Sequence, residues 1–467
     1  MHVKTKSKIF VKVFAVVFFA LCFVQGAPAE DKPKIIENKP TTLTYPSFWH
    51  TPFGIHRGTP FWLKVFLGNR TYFNGPQDLA ATKLLVDYGK IRKGKDDWQL
   101  TVYGVNSGNS EVIYNPSMYS LGIFGKRGSG EKELNRPVGI ACNGHGDIYI
   151  ADTGNHRLSR WFNDGKEVKF ITNLGKFGTG PGEFRSPKYL ALDAAGRVYV
   201  SDTGNHRVQV FSKSGGFLYE IGKSEGVLNP QGITVCDSRE KYSGYREDYI
   251  YLIDGNFNRL KKMDFSGSLF RTVRVDRAVG KKVFLTTLEQ DYYGNVYVVD
   301  NKNSQIHKFS PDLFYIVSYG GPGTEDYRFD SPTGIAIYKH FGQVLVSDRE
   351  SAQYFWIGAD VKDFSAKQPG RNKLRFDFFV TELAYVTIQI ETPKQTLDVC
   401  RKLRLDTGEN TITWDIPEGY IGAYLMPGNS YEAIITISST YSSHPHIKKR
   451  KKTYLNLDYR EVHIRKN

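Results

Sequence analysis

Cysteine is nearly missing from this chain: Cys22, Cys142, Cys236 and Cys400 are all it has in 467 residues. Three scattered cysteines beyond the N-terminal segment make no disulfide framework, so the fold must stand on its core. Long apolar runs are missing as well. The apolar run at 13–24 is shorter than the ~20 residues a membrane span needs, and Lys12 limits it further. Basic Lys4, Lys6 and Lys8 precede it and Ala27-Pro28-Ala29 follows, the pattern of an export signal over residues 1–29. This predicts a secreted or cell-envelope protein whose mature chain has no transmembrane helix. Acid is in deficit. The formal charge is +15, and removal of four lysines with residues 1–29 leaves +11. Part of that excess is the run Lys448-Lys-Arg-Lys-Lys452 in a basic tail over 444–467, suited to an anionic surface. Metal motifs are lacking too. There is no His-x-Glu-x-x-His, and Cys142-x-x-His145 has no second ligand pair.

What is present is a repeat. Asp152-Thr-Gly-Asn-His-Arg157 recurs as Asp202-Thr-Gly-Asn-His-Arg207. Weaker copies begin at Asp254 (ending in Arg259), Asp300 and Asp348, and an upstream copy is read at 87–92. The aspartates lie 65, 50, 52, 46 and 48 residues apart, giving six units with an insertion at 93–119 in the first.

Each unit has one grammar. A Pro-x-Gly-Ile-like element opens it, as in Pro137-Val-Gly-Ile and Pro332-Thr-Gly-Ile. An alternating run follows (Ile148-Tyr-Ile-Ala-Asp152), then the Asp-to-Arg turn and two further alternating runs. Period-two alternation bounded by Gly, Asn and Asp is strand chemistry. Four antiparallel strands per unit, repeated round a ring, make a propeller blade. The last unit stops after three strands, whereas Trp62-Leu-Lys-Val-Phe-Leu-Gly68 stands spare ahead of the first. The expectation is therefore an all-β, six-bladed β-propeller over 62–361, closed by strand 62–68, after an N-terminal linker at 30–61.

The phrase Pro-x-Gly-Ile followed by Ile-Tyr-Ile-Ala-Asp-Thr-Gly-Asn-His-Arg resembles the NHL repeat family. That resemblance implies the same six-bladed ring. Beyond a Lys/Gln/Pro/Gly linker at 367–373, alternation resumes in Phe376-Asp-Phe-Phe-Val380 and Tyr431-Glu-Ala-Ile-Ile-Thr-Ile437. This predicts a small β-sandwich over 371–443. Gly408-Glu-Asn410, Trp414-Asp415 and Pro427-Gly428 resemble the flagellar-hook-cap-type immunoglobulin-like domain, which implies a spacer or docking module.

Blade geometry places the loops before each opening proline and all the Asp-to-Arg turns on one face. The residues expected round the channel mouth there are Gln77, Asp78, Lys188, Tyr189, Gln231, Thr286, Thr287 and Thr333. The repeated Asp152, Arg157, Asp202, Arg207, Asp254, Arg259, Asp300 and Asp348 read as turn architecture, because a catalytic group is needed once and not in every blade. Pairing of these arginines with an aspartate across blades is expected. No catalytic residue, metal or cofactor is predicted.

The function expected is a non-enzymatic binding or scaffold protein that takes a protein, peptide or glycan on one ring face. The export signal argues against nucleic acid as the partner. The alternative is a metal-dependent lyase: Val346-Ser-Asp-Arg-Glu350 resembles a stretch of the peptidyl-α-hydroxyglycine amidating lyases, which implies zinc held by converging histidines. A lactonase-like hydrolase would need an acidic set on the inner strands, where Asp78 and Glu289 stand.

Overall fold

The computed structural model describes residues 33–46, 50–51, 54–85, 100–117, 120–441 and 443–458. The export segment and the copy read at 87–92 lie outside them. Six sheets of antiparallel strands stand round a central channel, five of them pairing in chain order. Their inner strands are Pro76–Thr82, Ile140–Cys142, Leu190–Leu192, Ile233–Cys236, Leu285–Gln290 and Gly334–Tyr338. The second strands carry the tightest burial. Tyr103, Tyr149, Tyr199, Tyr251 and Tyr297 hold the same place in blades one to five, each at most 1% exposed. Alternate residues of such a strand face the next blade and the previous one. Tyr149 and Ala151 pack toward the third blade, Ile148 and Ile150 toward the first.

The first blade corrects the repeat register. Its strands are Pro76–Thr82, Thr101–Asn106, Glu111–Ser117 and Ser120–Phe124. Its turn is therefore Asn106-Ser-Gly-Asn-Ser-Glu111, not 87–92. Residues 101–117, read as insertion, are two regular strands.

Ring closure is also reassigned. Pro60–Leu67 is an α-helix, not a strand. Pro60 opens its first turn with a preset φ. Trp62, Leu63, Phe66 and Leu67 recur with the helical period, and Leu63 and Leu67 are buried. Closure comes from farther upstream. Leu43–Thr44 pairs antiparallel with Ser351–Ile357 as the fourth strand of blade six, and Arg57–Gly58 joins the same edge. Thr333 Oγ1 then donates to the Pro76 carbonyl at 2.9 Å, and Ser347 Oγ to that of Gln77 at 3.1 Å, tying blade six to blade one.

Behind the ring, two sheets share one core containing Phe376, Phe378, Ile388 and Ile435. Three strands, Val361–Gly370, Lys373–Val380 and Gly408–Asp415, form one sheet. In the other, Lys34–Ile36, Ile447–Asn456, Ser430–Ser439, Ala384–Glu391 and Thr396–Leu405 lie side by side. Three boundaries shift accordingly. The linker read at 367–373 is the tip of a hairpin, and the N-terminal linker supplies a strand to each domain. The basic tail is a strand in its central stretch. Three of the five cations in its run are engaged locally: Lys452 pairs with Glu432 at 2.9 Å, Arg450 with Glu391 at 3.3 Å, and Lys449 donates to the Lys39 carbonyl at 2.5 Å. Cross-strand carboxylates of this kind let a basic run lie in a sheet.

The sandwich is seated on the ring. Lys308, on the third strand of blade five, is 1% exposed, donates to the Thr381 carbonyl at 2.9 Å and pairs with the fully buried Glu382. Tyr441 enters the core between blades five and six. Cys142, Cys236 and Cys400 are free thiols. No helix among the described residues is long and apolar enough to cross a membrane.

Candidate functional site: the ring face and its channel

The Asp-to-Arg turns form the rim of one face, and each residue type in the phrase has its own bond. Asp152 Oδ1 accepts the Asn135 N–H at 2.7 Å, and Asp202 Oδ1 that of Arg185 at 2.7 Å, so the carboxylate ties the turn to the loop entering its own blade. The arginines pair with the aspartate of their own turn instead of one across blades, and Arg157 and Arg207 also donate to the carbonyls of Glu133 and Glu183 in the loop entering the blade. Arg157, Arg207 and Arg259 meet Asp152, Asp202 and Asp254 at 2.8, 3.0 and 2.9 Å. Where the phrase degenerates, other donors stand in. His307 meets Asp300 at 3.2 Å, and Arg57 of the N-terminal segment reaches Asp348 at 3.6 Å.

The link between blades runs through the other two positions. Thr153 and Thr203 hydroxyls donate to the carbonyls of Pro187 and Pro230 at 2.7 Å each. His156 and His206 adopt left-handed φ of 54° and 58°, and their Nδ1 atoms accept the N–H of Ser186 and Asn229 at 3.0 Å. Each turn thus clamps the opening proline of the next blade.

Of the eight expected mouth residues, the structure brings only some to the mouth. Asp78, Tyr189 and Thr287 are 4–5% exposed and belong to the wall. Tyr189 packs in the core between blades three and four. They fail as surface residues because the inner strand alternates, and every second side chain turns into a blade interface. Gln77 donates only to the Gly75 carbonyl at 3.5 Å, and Thr333 is engaged with Pro76.

Lys188 and Gln231 do meet, although Gln231 is itself only 1% exposed. Lys188 Nζ donates to Gln231 Oε1 at 3.0 Å, and the Gln231 amide donates onward to the Asn229 carbonyl at 3.2 Å. The same ammonium lies 5.4 Å from the centre of the Phe257 ring, which stacks on Phe284 at 4.2 Å. Burial pulls the Lys188 pKa below the ordinary lysine value. Among the described residues its hydrogen bond goes to a neutral amide and to no carboxylate. Thr286 Oγ1, on the next blade, is buried without a hydrogen-bond partner.

Phe257 and Phe284 were not legible as site residues. The available signal was an aromatic in the fourth place of Asp254-Gly-Asn-Phe-Asn-Arg259, where the sharp copies carry Asn. Phe257 sits there with φ of +64°, a conformation a bulky side chain rarely adopts and one that neighbouring packing must hold.

Below the mouth the channel encloses about 430 Å³ and its wall is acidic. Burial pushes the Asp78 carboxyl up to about 8, although it accepts the Ile140 N–H at 3.2 Å. Glu289 is raised by burial too, against the pull of Lys339, and accepts the Thr234 hydroxyl at 2.9 Å. Burial lowers the Lys339 pKa, yet Glu240 at 2.6 Å together with Glu289 outweighs it and holds the ammonium charged. Cys142 is held protonated by its burial. The histidines do not converge on this channel. His156 and His206 are in rim turns, His307 is buried on Asp300, and His340 stacks on Tyr242 at 4.1 Å. Among the described residues no group of three or more His, Cys, Asp or Glu side chains is placed to hold a metal ion.

The family that matches this chain is the NHL repeat, over residues 134–161 and 184–211. No relative is found among curated proteins. Among solved structures the chain is similar to a catalytically inactive virginiamycin B lyase from Staphylococcus aureus with quinupristin. The identity is 12%, over 55% of this chain and 76% of that one, with a TM-score of 0.40. It is similar also to hydrazine synthase of Kuenenia stuttgartiensis, at 11% identity over 67% and 79% with a TM-score of 0.41. A third is the calcium-binding protein regucalcin from Agrobacterium tumefaciens, at 12% over 60% and 84% with a TM-score of 0.39.

Proposed function

We propose that this chain is an exported binding module whose ring face takes an extended protein or peptide segment carrying a carboxylate. The observation that carries the reading is Lys188, a half-buried cation paired with a neutral amide and flanked by two stacked aromatic rings. Such a cation gains most from an incoming anion, and the Phe257–Phe284 platform supplies apolar contact beside it. NHL rings often serve as protein-binding domains, which favours a polypeptide over a glycan. Export follows from Lys4, Lys6, Lys8 and the apolar run behind them. The sandwich, with its hook-cap-like Gly408-Glu-Asn410 and Trp414-Asp415, then acts as a spacer holding the ring at a surface. Lys449, Arg450 and Lys452 are engaged by neighbours, so contact of the basic tail with an anionic surface falls to its other cations.

The test is a peptide array read with the full chain, each peptide present as free carboxylate and as amide. Wild type is expected to prefer carboxylates by about tenfold, the ~1.4 kcal/mol of one charge-assisted contact, and Lys188→Ala to lose that preference. Equal binding of both forms by wild type, or an unchanged preference in the variant, refutes the reading.

A further inference from the structure

Five of the six interfaces between blades are filled. The buried clusters between blades one and two, two and three, three and four, four and five, and five and six are contiguous hydrophobic cores. Between blade six and blade one, and reaching the N-terminal segment and the sandwich, the described residues line a partly open cavity of about 1100 Å³ instead. That exceeds the ~300–1,000 Å³ of ordinary small-molecule sites.

The sequence explains the hollow. At the place where blades one to five present tyrosine to the next blade, blade six has Leu345. Where the second residue of the third strand is Val112, Leu158, Val208, Leu260 or Ile306 in the other blades, blade six has Ala352. On the facing wall, the place of Ile150, Val200, Leu252, Val298 and Val346 is taken by Gly104. All three small residues line the cavity, and all three are partly open where their counterparts are buried. Three independent positions are shrunk at one interface and at no other.

The walls are aromatic, with Trp62 and Phe66 of the helix on one side and Tyr114, Tyr354 and Trp356 on the strands. The polar groups at one end are unsatisfied. Gln343 is 7% exposed, and its Oε1 is buried without a partner. Its amide donates to Tyr354 Oη at 2.5 Å, and Trp356 Nε1 donates to the same oxygen at 3.0 Å. The Tyr354 hydroxyl therefore accepts twice and keeps its own proton to give. His446 lies against Trp356 at 5.7 Å between ring centres, and its Nδ1 is also buried without a partner. Charge is scarce there: Asp78 also lines the cavity but burial holds it protonated up to about 8, and His56 meets Asp326 at 3.5 Å. Arg57 is engaged by Asp348 and Ser351, burial holds Tyr354 protonated, and burial with nearby lysines keeps His340 neutral.

We propose that the space between blades six and one is a binding site for an uncharged, largely aromatic small molecule carrying one hydrogen-bonding head, which meets Tyr354 and Gln343. An acceptor and a donor side by side in an aromatic slot match a hydroxyl, and the acceptor alone matches an N–H group. A charged head would go unpaired there at a cost the walls cannot offset. The site shares Asp78 with the channel wall but does not include Lys188, and it takes a different class of ligand.

The probe is N-phenyl-1-naphthylamine, which is neutral, aromatic, has one N–H, and fluoresces when it leaves water. Titrated into the full chain, it is expected to bind saturably with one site per chain. Leu345→Tyr and Gly104→Val each refill the slot from an opposite wall, and each should weaken binding at least tenfold. A Cβ on Gly104 meets the Leu79 side chain at 3.1 Å and the Ile113 carbonyl oxygen at 3.9 Å, and its φ is ordinary, so that variant asks the Leu79 side chain to shift by a few tenths of an ångström. Both variants should melt at or above the wild-type temperature, which separates a filled slot from a misfolded one. Lys188→Ala, at the mouth, should bind the probe as wild type does. Absence of saturable binding, or binding that survives both refilling changes in folded protein, overturns the proposal. So does a crystal structure with residues 86–99 of the chain itself seated in the slot.

Discussion

Asp78 shows what one buried carboxyl does to a ring. It is 5% exposed, and burial raises its pKa from an ordinary 3.8 to about 8. Between those values the folded chain keeps a proton that the unfolded chain has released. The unfolded state then binds fewer protons, so stability falls as pH rises through this window and the loss is complete above about 8. Each unit of difference corresponds to about 1.4 kcal/mol before water entry and relaxation reduce it. Asp78→Asn keeps an oxygen to accept the Ile140 N–H but cannot ionise. Its melting temperature should fall less than wild type's between pH 5 and 8.5, and parallel slopes would refute the assignment. The turn residues belong to the same scale and were more legible. Asp, Gly and Arg in a recurring phrase announce a structural turn, because their bonds are local. The histidine's role was not legible, since its partner is a backbone N–H of the following blade, some 23 to 30 residues on.

At the scale of elements, the alternating runs marked most blade strands, and the failures have physical causes. The first turn was missed because Asn106 and Glu111 replace Asp and Arg, inverting the charge order while keeping the geometry. In Glu111 the acid has moved to the other end, and its Oε1 accepts from Asn106 at 2.8 Å. The helix Pro60–Leu67 was misread because six of its eight residues are apolar, apart from Pro60 and Lys64, and such a run carries little period-two information. The strand Ile447–Asn456 was hidden by five consecutive cations, three of which meet carboxylates on other strands or loops. The true closing strand is two residues long, too short for any pattern. Its importance lies in packing: Leu43 is fully buried in the core between blades five and six. Leu43→Ala should cost about 2–5 kcal/mol in chemical unfolding. A loss below about 0.5 kcal/mol would show that residues 43–44 do not close the ring.

The whole molecule is one body because its two domains share a strand donor and a buried ion pair. Residues 34–36 complete the sandwich and residues 43–44 the propeller, so one short segment is stitched into both. At the seat between them, Lys308 and Glu382 are 1% and 0% exposed. Burial raises the Glu382 carboxyl while Lys308 opposes the rise, and Asp291 nearby adds to it. Asp291 is itself held by the backbone N–H groups of Tyr293 and Asn295 at 2.9 Å. Taking two charges out of water is costly, so the pair adds little net stability, but removing one partner strands the other. Glu382→Ala leaves an ammonium in a dry interface and should cost about 3–5 kcal/mol, whereas Lys308→Met with Glu382→Leu should recover most of that loss. Calorimetry reads the consequence directly. Wild type and the double variant should each unfold in one transition, with sandwich and ring melting together, and Glu382→Ala should melt lower. Two separated transitions in wild type would show that the seat is a contact and not a weld. Equal stability of all three proteins would show that the ammonium finds water at this interface.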